Sequence, residues 1–147
     1  MKQILLLNGP NLNMLGTRQP DVYGHTTLSD VERDTTTLGV ELGAMVTCKQ
    51  SNYEGQLVDW IQEARETMDG IIINPGAYTH TSVALMDAVS SIEIPTIELH
   101  LSNIHAREEF RHTSYIAKVA LGIICGFGAH GYVLALEAMA QHLKARA

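Results

Sequence analysis

Short apolar runs alternate along the whole chain with longer stretches of helical period, and this alternation is the pattern of βαβ units around a parallel sheet. Lys2 to Asn8, Ala44 to Gln50, Gly70 to Asn74, Pro95 to Leu101 and about Val119 to Cys125 read as strands, each near the usual length of about five or six residues. Between them, Leu28, Val31, Leu38 and Leu42 form one helical stripe, Leu57, Ile61 and Ala64 a second, and Leu136, Met139 and Leu143 a terminal one. A further helix is expected from about Thr81 to Ser90, where Val83, Leu85, Met86 and Val89 cover more than one face, as in a helix buried against a neighbour.

Right-handed crossovers between such units give an α/β fold with a doubly wound five-stranded parallel sheet, most simply in the flavodoxin-like order 2-1-3-4-5. The 147 residues, 46% of them hydrophobic, fit one domain spanning 1–147, a size that buries about two thirds of its surface. No internal repeat, low-complexity tract or linker interrupts it. No segment reaches the roughly 18 apolar residues of a membrane span, and the apolar run of MKQILLLNGPN is too short for a signal peptide. A cytoplasmic protein is therefore expected, with Cys48 and Cys125, which lack CxxC spacing, as core thiols. A net charge of -6 with only 10 Lys and Arg disfavours a nucleic-acid partner.

In an open parallel sheet ligands gather at the carboxyl ends of the strands. Strand one ends in Asn8-Gly9-Pro10-Asn11-Leu12-Asn13, strand three in Asn74-Pro75-Gly76-Ala77-Tyr78-Thr79-His80, and strand four in Glu98-Leu99-His100-Leu101-Ser102-Asn103. Asn, Gly and Pro are ordinary turn formers, but three such loops on one edge bring amides, hydroxyls and histidines together. Period-two alternation puts Glu98 and His100 on one side of strand four, where the carboxylate can orient the imidazole and raise its basicity.

The connection from Gly9 to His25 is roughly three times the usual loop length, and such loops usually carry function. It holds Arg18 and Tyr23 among Gly16, Pro20 and Gly24, so a guanidinium and a phenol can meet on a hinged segment. A nearby cation lowers a phenol's pKa of about 10 by about 1 to 3 units, which makes tyrosinate usable as a general base. By spacing alone the two residues read rather as a lid aromatic and a solvated charge.

The opening NGPNLNMLGTRQPDVYG, the loop INPGAYTHTS, the segment IELHLSNIHAREEFRHTSY and the final GFGAHGYVLALEAM resemble, in order and spacing, the motifs of the type II 3-dehydroquinate dehydratases. The resemblance runs nearly from end to end. One departure stands out, Gln19 where many members have Glu, which removes a charge beside Arg18.

The resemblance implies a cofactor-free and metal-free lyase acting on a small polyol acid, 3-dehydroquinate. In it Tyr23 removes the axial C2 proton, Arg18 keeps the phenol ionised, Asn11 holds a water on the developing oxyanion, and His100, oriented by Glu98, protonates the departing C1 hydroxyl. The substrate carboxylate is expected on Asn74, the Ser102 hydroxyl and the amides of Leu101 and Ser102, with His80 and Arg111 on ring hydroxyls. Asp87 is expected to reach a neighbouring subunit's site in a homododecamer of trimers.

Two other functions are read against the same residues. A receiver needs an Asp at the end of strand three, where Asn74 stands, and GPNLNMLGTR is not the GxxxxGK[ST] of a phosphate loop. Gly126-Phe127-Gly128 with Gly131 is a weak dinucleotide match at the last strand, without an acidic residue about 20 positions on. A zinc hydrolase is prompted by 7 histidines, His100 and His105 among them, but their spacing fits no HExxH or CxxC pattern.

Overall fold

The computed structural model describes residues 1–17 and 20–146, and of residues 22 and 23 the backbone alone. Among these, β1 (Lys2–Asn8), α1 (Pro20–Tyr23), α2 (Leu28–Glu41), β2 (Ala44–Gln50), α3 (Glu54–Thr67), β3 (Gly70–Asn74), α4 (Val83–Ile92), β4 (Thr96–His100), β5 (Gly122–Cys125) and α5 (His130–Ala145) follow in chain order. Among the described residues the five strands form one sheet in the order β2-β1-β3-β4-β5, and every pairing is parallel. This is the expected doubly wound topology. Its reversal of strand order between β1 and β3 opens a crevice at their carboxyl ends.

The central strands carry no polar alternation because both of their faces are covered. On β1, Ile4 and Leu6 pack with Val31, Ile72, Leu99, Leu136 and Met139 beneath α2 and α5. Leu5 and Leu7 pack on the other face with Leu57, Ile61, Ile73, Leu85 and Val89 beneath α3 and α4. The helices are set onto the sheet by local chemistry. Thr27 and Asp30 form a reciprocal capping box at the start of α2, with bonds of 3.1 and 3.0 Å. The backbone and side chain of Thr27 hold the Asp30 carboxyl below its usual pKa.

Several boundaries differ from the sequence reading, among them that of the fourth strand, which runs from Thr96 to His100 rather than from Pro95 to Leu101. The fifth strand starts at Gly122 rather than Val119, because Ile116–Lys118 winds into a 3-10 turn. That turn buries Ile116 and sets the half-buried Val119 against the core beneath α3 and α4. The helix expected from Thr81 runs from Val83 to Ile92, since the Ser82 hydroxyl accepts from the Leu85 amide at 2.9 Å and so caps it. Leu42, read as part of a buried stripe, is the C-cap of α2 and is 39% exposed. The two thiols are both half-buried: Cys48 packs against the core as expected, whereas Cys125 lies on β5, an edge strand, outside it. On α4, Leu85, Ala88, Val89 and Ile92 face the core while Val83 is exposed. No helix among the described residues is long and apolar enough to cross a membrane.

Candidate active site

The carboxyl ends of β1, β3 and β4 surround a cavity of about 280 Å³. The first and third loops are pressed together at its base: a Cβ on Gly9 would lie 2.7 Å from the Pro75 carbonyl oxygen, and Gly76, at φ +59, would set one 3.1 Å from that of Pro10. The close approach requires glycine at Gly9, and the left-handed φ favours it at Gly76. The lining holds Asn11, Asn74, His80, His100, Ser102 and Arg111. Asn11 takes the left-handed conformation, φ 70, and its amide N–H donates to Asn52 Oδ1 at 3.0 Å. Asn52 also accepts from Gln50 Nε2 at 3.2 Å, which donates to the Gly9 carbonyl at 3.1 Å.

Asn74, at the end of the central β3, is buried. Its Oδ1 accepts from the Gly76 amide at 3.2 Å and its Nδ2 donates to the Tyr132 hydroxyl at 3.1 Å. Tyr132 in turn donates to Asn8 Oδ1 at 2.6 Å. Burial pushes the Tyr132 phenol well above its ordinary range, so it stays neutral and holds Asn74 as a hydrogen-bonding group. Among the described residues, the buried Asn8 Nδ2 meets no hydrogen-bond partner.

On the floor, His100 Nε2 lies 2.5 Å from Glu98 Oε2, the pairing expected from strand alternation. Glu98 is fully buried and also accepts from the hydroxyls of Thr79, at 2.5 Å, and Ser114, at 2.8 Å. Burial alone would raise its carboxyl pKa, but the bonds from His100 and Thr79, the His100 charge and Ser114 together hold it below the usual value. With an ionised carboxylate as partner, Nε2 is the donor, and Nδ1 is the ring nitrogen left for a ligand. The His80 ring is stacked on that of His100, with centroids 6.4 Å apart and planes at 16°. His80 Nδ1 meets the Thr113 carbonyl at 2.8 Å, which can only accept, so Nδ1 carries the hydrogen.

Arg107 and Arg111 make part of the lining cationic. Arg107 Nη1 donates to Ser102 Oγ at 3.3 Å, and Arg111 Nε to Glu108 Oε2 at 3.1 Å. Glu108 Oε1 also lies 3.8 Å from Arg107 Nε, so one carboxylate braces both guanidinia. Leu101 is buried beside them in the lining.

Of the residues expected from sequence, Asn11, Asn74, His80, His100, Leu101, Ser102 and Arg111 converge on this one cavity. Asp87 does not: it is exposed on α4, away from the lining. Arg18 and the Tyr23 side chain lie outside the described residues. Residues not singled out by sequence are Arg107, in the middle of the quoted HAREEF run, the Thr79 and Ser114 hydroxyls, and the Asn8–Tyr132 chain. Among the described residues no three of His, Cys, Asp and Glu come together as a metal-binding group.

A buried carboxylate–imidazole pair under amide, hydroxyl and guanidinium donors, at the switch point of a doubly wound sheet, defines an enzyme site for acid–base chemistry on a small anionic, oxygen-rich molecule. Residues 2–140 match the family model of dehydroquinase class II. The chain is 62% identical to a 3-dehydroquinate dehydratase of Dinoroseobacter shibae, over 97% of this chain and 95% of the relative. It is 61% identical to a catabolic 3-dehydroquinase of Penicillium rubens, over 92% and 88% of the two. The crystal structure of type II dehydroquinase from Propionibacterium acnes superposes with a TM-score of 0.93 at 44% identity, over 96% of this chain and 97% of that one. The chain belongs to the class II dehydroquinase family.

Proposed function

We propose that this chain is a 3-dehydroquinate dehydratase, a hydro-lyase that works as one catalytic domain by anti elimination through an enolate. The observation that carries the reading is the Glu98–His100 pair at 2.5 Å on the floor of a cavity lined by Asn74, Ser102 and Arg111. Tyr23, kept ionised by Arg18, takes the axial proton from C2, and the electron pair moves toward the C3 carbonyl oxygen. A water on Asn11 stabilises that oxygen as charge develops. The enolate then reforms its carbonyl and expels the C1 hydroxyl, which leaves as water with the proton from His100 Nδ1. The braced His100 and the long-loop Tyr23 act from opposite faces of the ring.

The substrate carboxylate is assigned to Asn74, the Ser102 hydroxyl and the amides of Leu101 and Ser102, and the ring hydroxyls to His80 and Arg111. The bonds holding Asn74 and Ser102 support this, because each fixes one group and leaves a donor hydrogen for a ligand. Asp87, exposed here, is assigned to a neighbouring subunit's site in a homododecamer of trimers. Mixing Asp87→Ala with Tyr23→Phe chains restores part of the activity under this assignment, and an active monomer in sedimentation removes it. We place the enzyme in the cytoplasm, in the shikimate route to chorismate and aromatic amino acids. A deletion strain's growth without aromatic amino acids, set against its growth on quinate, separates that role from the catabolic one for which a relative is named.

The deciding assay incubates purified protein with 3-dehydroquinate and follows the ultraviolet absorbance of the conjugated enone product. Absorbance growth is the expected outcome. Folded protein that gives no signal overturns the reading.

A further inference from the structure

Thr79 and Ser114 stand outside the cavity lining, yet both close on the carboxylate behind His100. Thr79 sits in the 3-10 turn Gly76–His80 after β3, and Ser114 lies 35 residues further along the chain. Both are buried. Thr79 Oγ1 is 2.5 Å from Glu98 Oε2, Ser114 Oγ is 2.8 Å from each carboxylate oxygen, and the two hydroxyls are 2.7 Å apart. Two hydroxyl hydrogens must serve these contacts. A bond to an ionised acceptor is roughly twice as strong as a neutral one, so both hydrogens go to the carboxylate. The Ala117 amide donates to Ser114 Oγ at 3.0 Å and so occupies an acceptor site on that oxygen. The Tyr115 amide donates to the Thr79 carbonyl at 2.9 Å and ties the two segments together.

We infer that Thr79 and Ser114 are positioning residues that set how readily His100 releases its proton, acting through the Glu98 carboxylate they share. This rests on the assignment of His100 as the proton donor. An imidazolium beside a buried carboxylate with no other donor is held tightly by the full negative charge, which makes it a weak acid. Two hydroxyl bonds take up part of that charge. With less charge facing the ring, the carboxylate holds a proton on the imidazole less firmly, and that proton is freer to pass to a leaving hydroxide. The other titratable groups facing the pair are the stacked His80 ring, the Arg107 and Arg111 guanidinia in the cavity lining, and Cys125, the β5 register partner of His100. The variants below leave all of these in place.

The test compares Ser114→Ala, Thr79→Val, the double variant and the hydroxyl-keeping Thr79→Ser. Two readouts are taken: the alkaline limb of kcat against pH, and the midpoint of the His100 ring proton signal by NMR without substrate. Each lost hydroxyl should raise both by about 0.5 to 1 pH unit. It should also lower kcat by about three- to thirty-fold, with KM within about two-fold. Thr79→Ser should stay within about two-fold of the parent protein throughout. If the double variant fails to fold, the two single variants and Thr79→Ser decide the matter. A limb and midpoint that stay put or fall while kcat drops show a structural role and overturn the inference. Because the NMR midpoint needs no turnover, an inactive parent protein would remove the dehydratase reading while the midpoints still judged the hydroxyls.

Discussion

The two halves of the proposed chemistry stand on differently built parts of the molecule. The acid half is floor: His100 ends a central strand, Glu98 behind it is fully buried, and donors from three separate segments close on one carboxylate. The base half is assigned to the rim, the connection between β1 and α2 that carries Arg18 and Tyr23. Past Asn11, the bonds among its described residues run between close neighbours, as from the Thr17 amide to the Met14 carbonyl at 3.1 Å and the Gly24 amide to the Pro20 carbonyl at 2.8 Å. Met14, in this segment, is 47% exposed. The difference is one of division of labour. A proton donor to a poor leaving group gains from a fixed, desolvated counter-charge, whereas a base that must reach a substrate after it has entered belongs on a connection that can close over it.

The largest effect should come from breaking the rim. Tyr23→Phe removes the base and should lower turnover by at least about 1,000-fold. Fold and binding of a product-like inhibitor should persist, because the carboxylate is assigned to Asn74, Leu101 and Ser102 and not to Tyr23. Circular dichroism and inhibitor titration check both, and near-parental turnover removes Tyr23 from the mechanism. Breaking the floor should act differently. His100→Ala should lower turnover by about 100-fold or more while keeping exchange of the C2 proton with solvent, since abstraction precedes departure of the hydroxyl. Equal collapse of exchange and turnover would show that His100 is not a separate acid.

Arg18→Ala sharpens the comparison within the rim. An unassisted phenol of pKa near 10 is about 0.1% ionised at pH 7, and a depression of one to three units is worth roughly 1.4 to 4 kcal/mol. Turnover should therefore fall steeply at neutral pH and recover in part as pH rises. Arg18→Lys should keep part of the depression without the planar geometry of the guanidinium. A uniform fall across pH, with no alkaline displacement of the limb, counts against the pairing.

The floor and the rim were also unequally legible in the sequence. β1, β2 and β3 could be bounded to the residue because each is an apolar run closed by Asn, Gly or Gln. Period two placed Glu98 beside His100 because that relation is local to one strand. The hydroxyls that complete the floor were not legible: Ser114 meets Glu98 only through the packing of the 113–117 segment on the turn after β3. Thr79 stood inside a quoted loop, but nothing in the sequence said that it would face a carboxylate rather than its neighbour His80. Arg107 was hidden for a similar reason, since a charge in HAREEF looks the same whether it is solvated or donates to Ser102. The start of β5 was misread because Val119 is apolar for docking on a helical layer, not for pairing in the sheet.

Tyr132 gives the smallest effect and tests whether the floor extends into the core. Its hydroxyl joins Asn8 on β1 to Asn74 on β3 from within α5, so Tyr132→Phe leaves Asn8 Oδ1 and Asn74 Nδ2 each without this partner. Leaving buried polar groups unpaired costs about 1 to 3 kcal/mol, which should appear as a lower urea midpoint at pH 7. If Asn74 holds the substrate carboxylate, KM should rise several-fold, about 1 kcal/mol of binding, with kcat much less changed. The pH dependence separates this group from Glu98. The Tyr132 phenol is raised by burial, so the folded protein keeps a proton that the unfolded chain loses near pH 10. The parental protein therefore loses stability as pH rises past about 10, and the phenylalanine variant lacks this loss, so the two curves converge. Glu98 works in the opposite sense: its lowered carboxyl contributes stability above the unfolded value of about 4.3, which fades as pH falls through the lower folded one. Tyr132→Phe should leave that acid edge unmoved. A gap between parent and variant that stays constant up to pH 11 would show that the hydroxyl contributes packing alone, and an unchanged KM would detach Asn74 from the carboxylate.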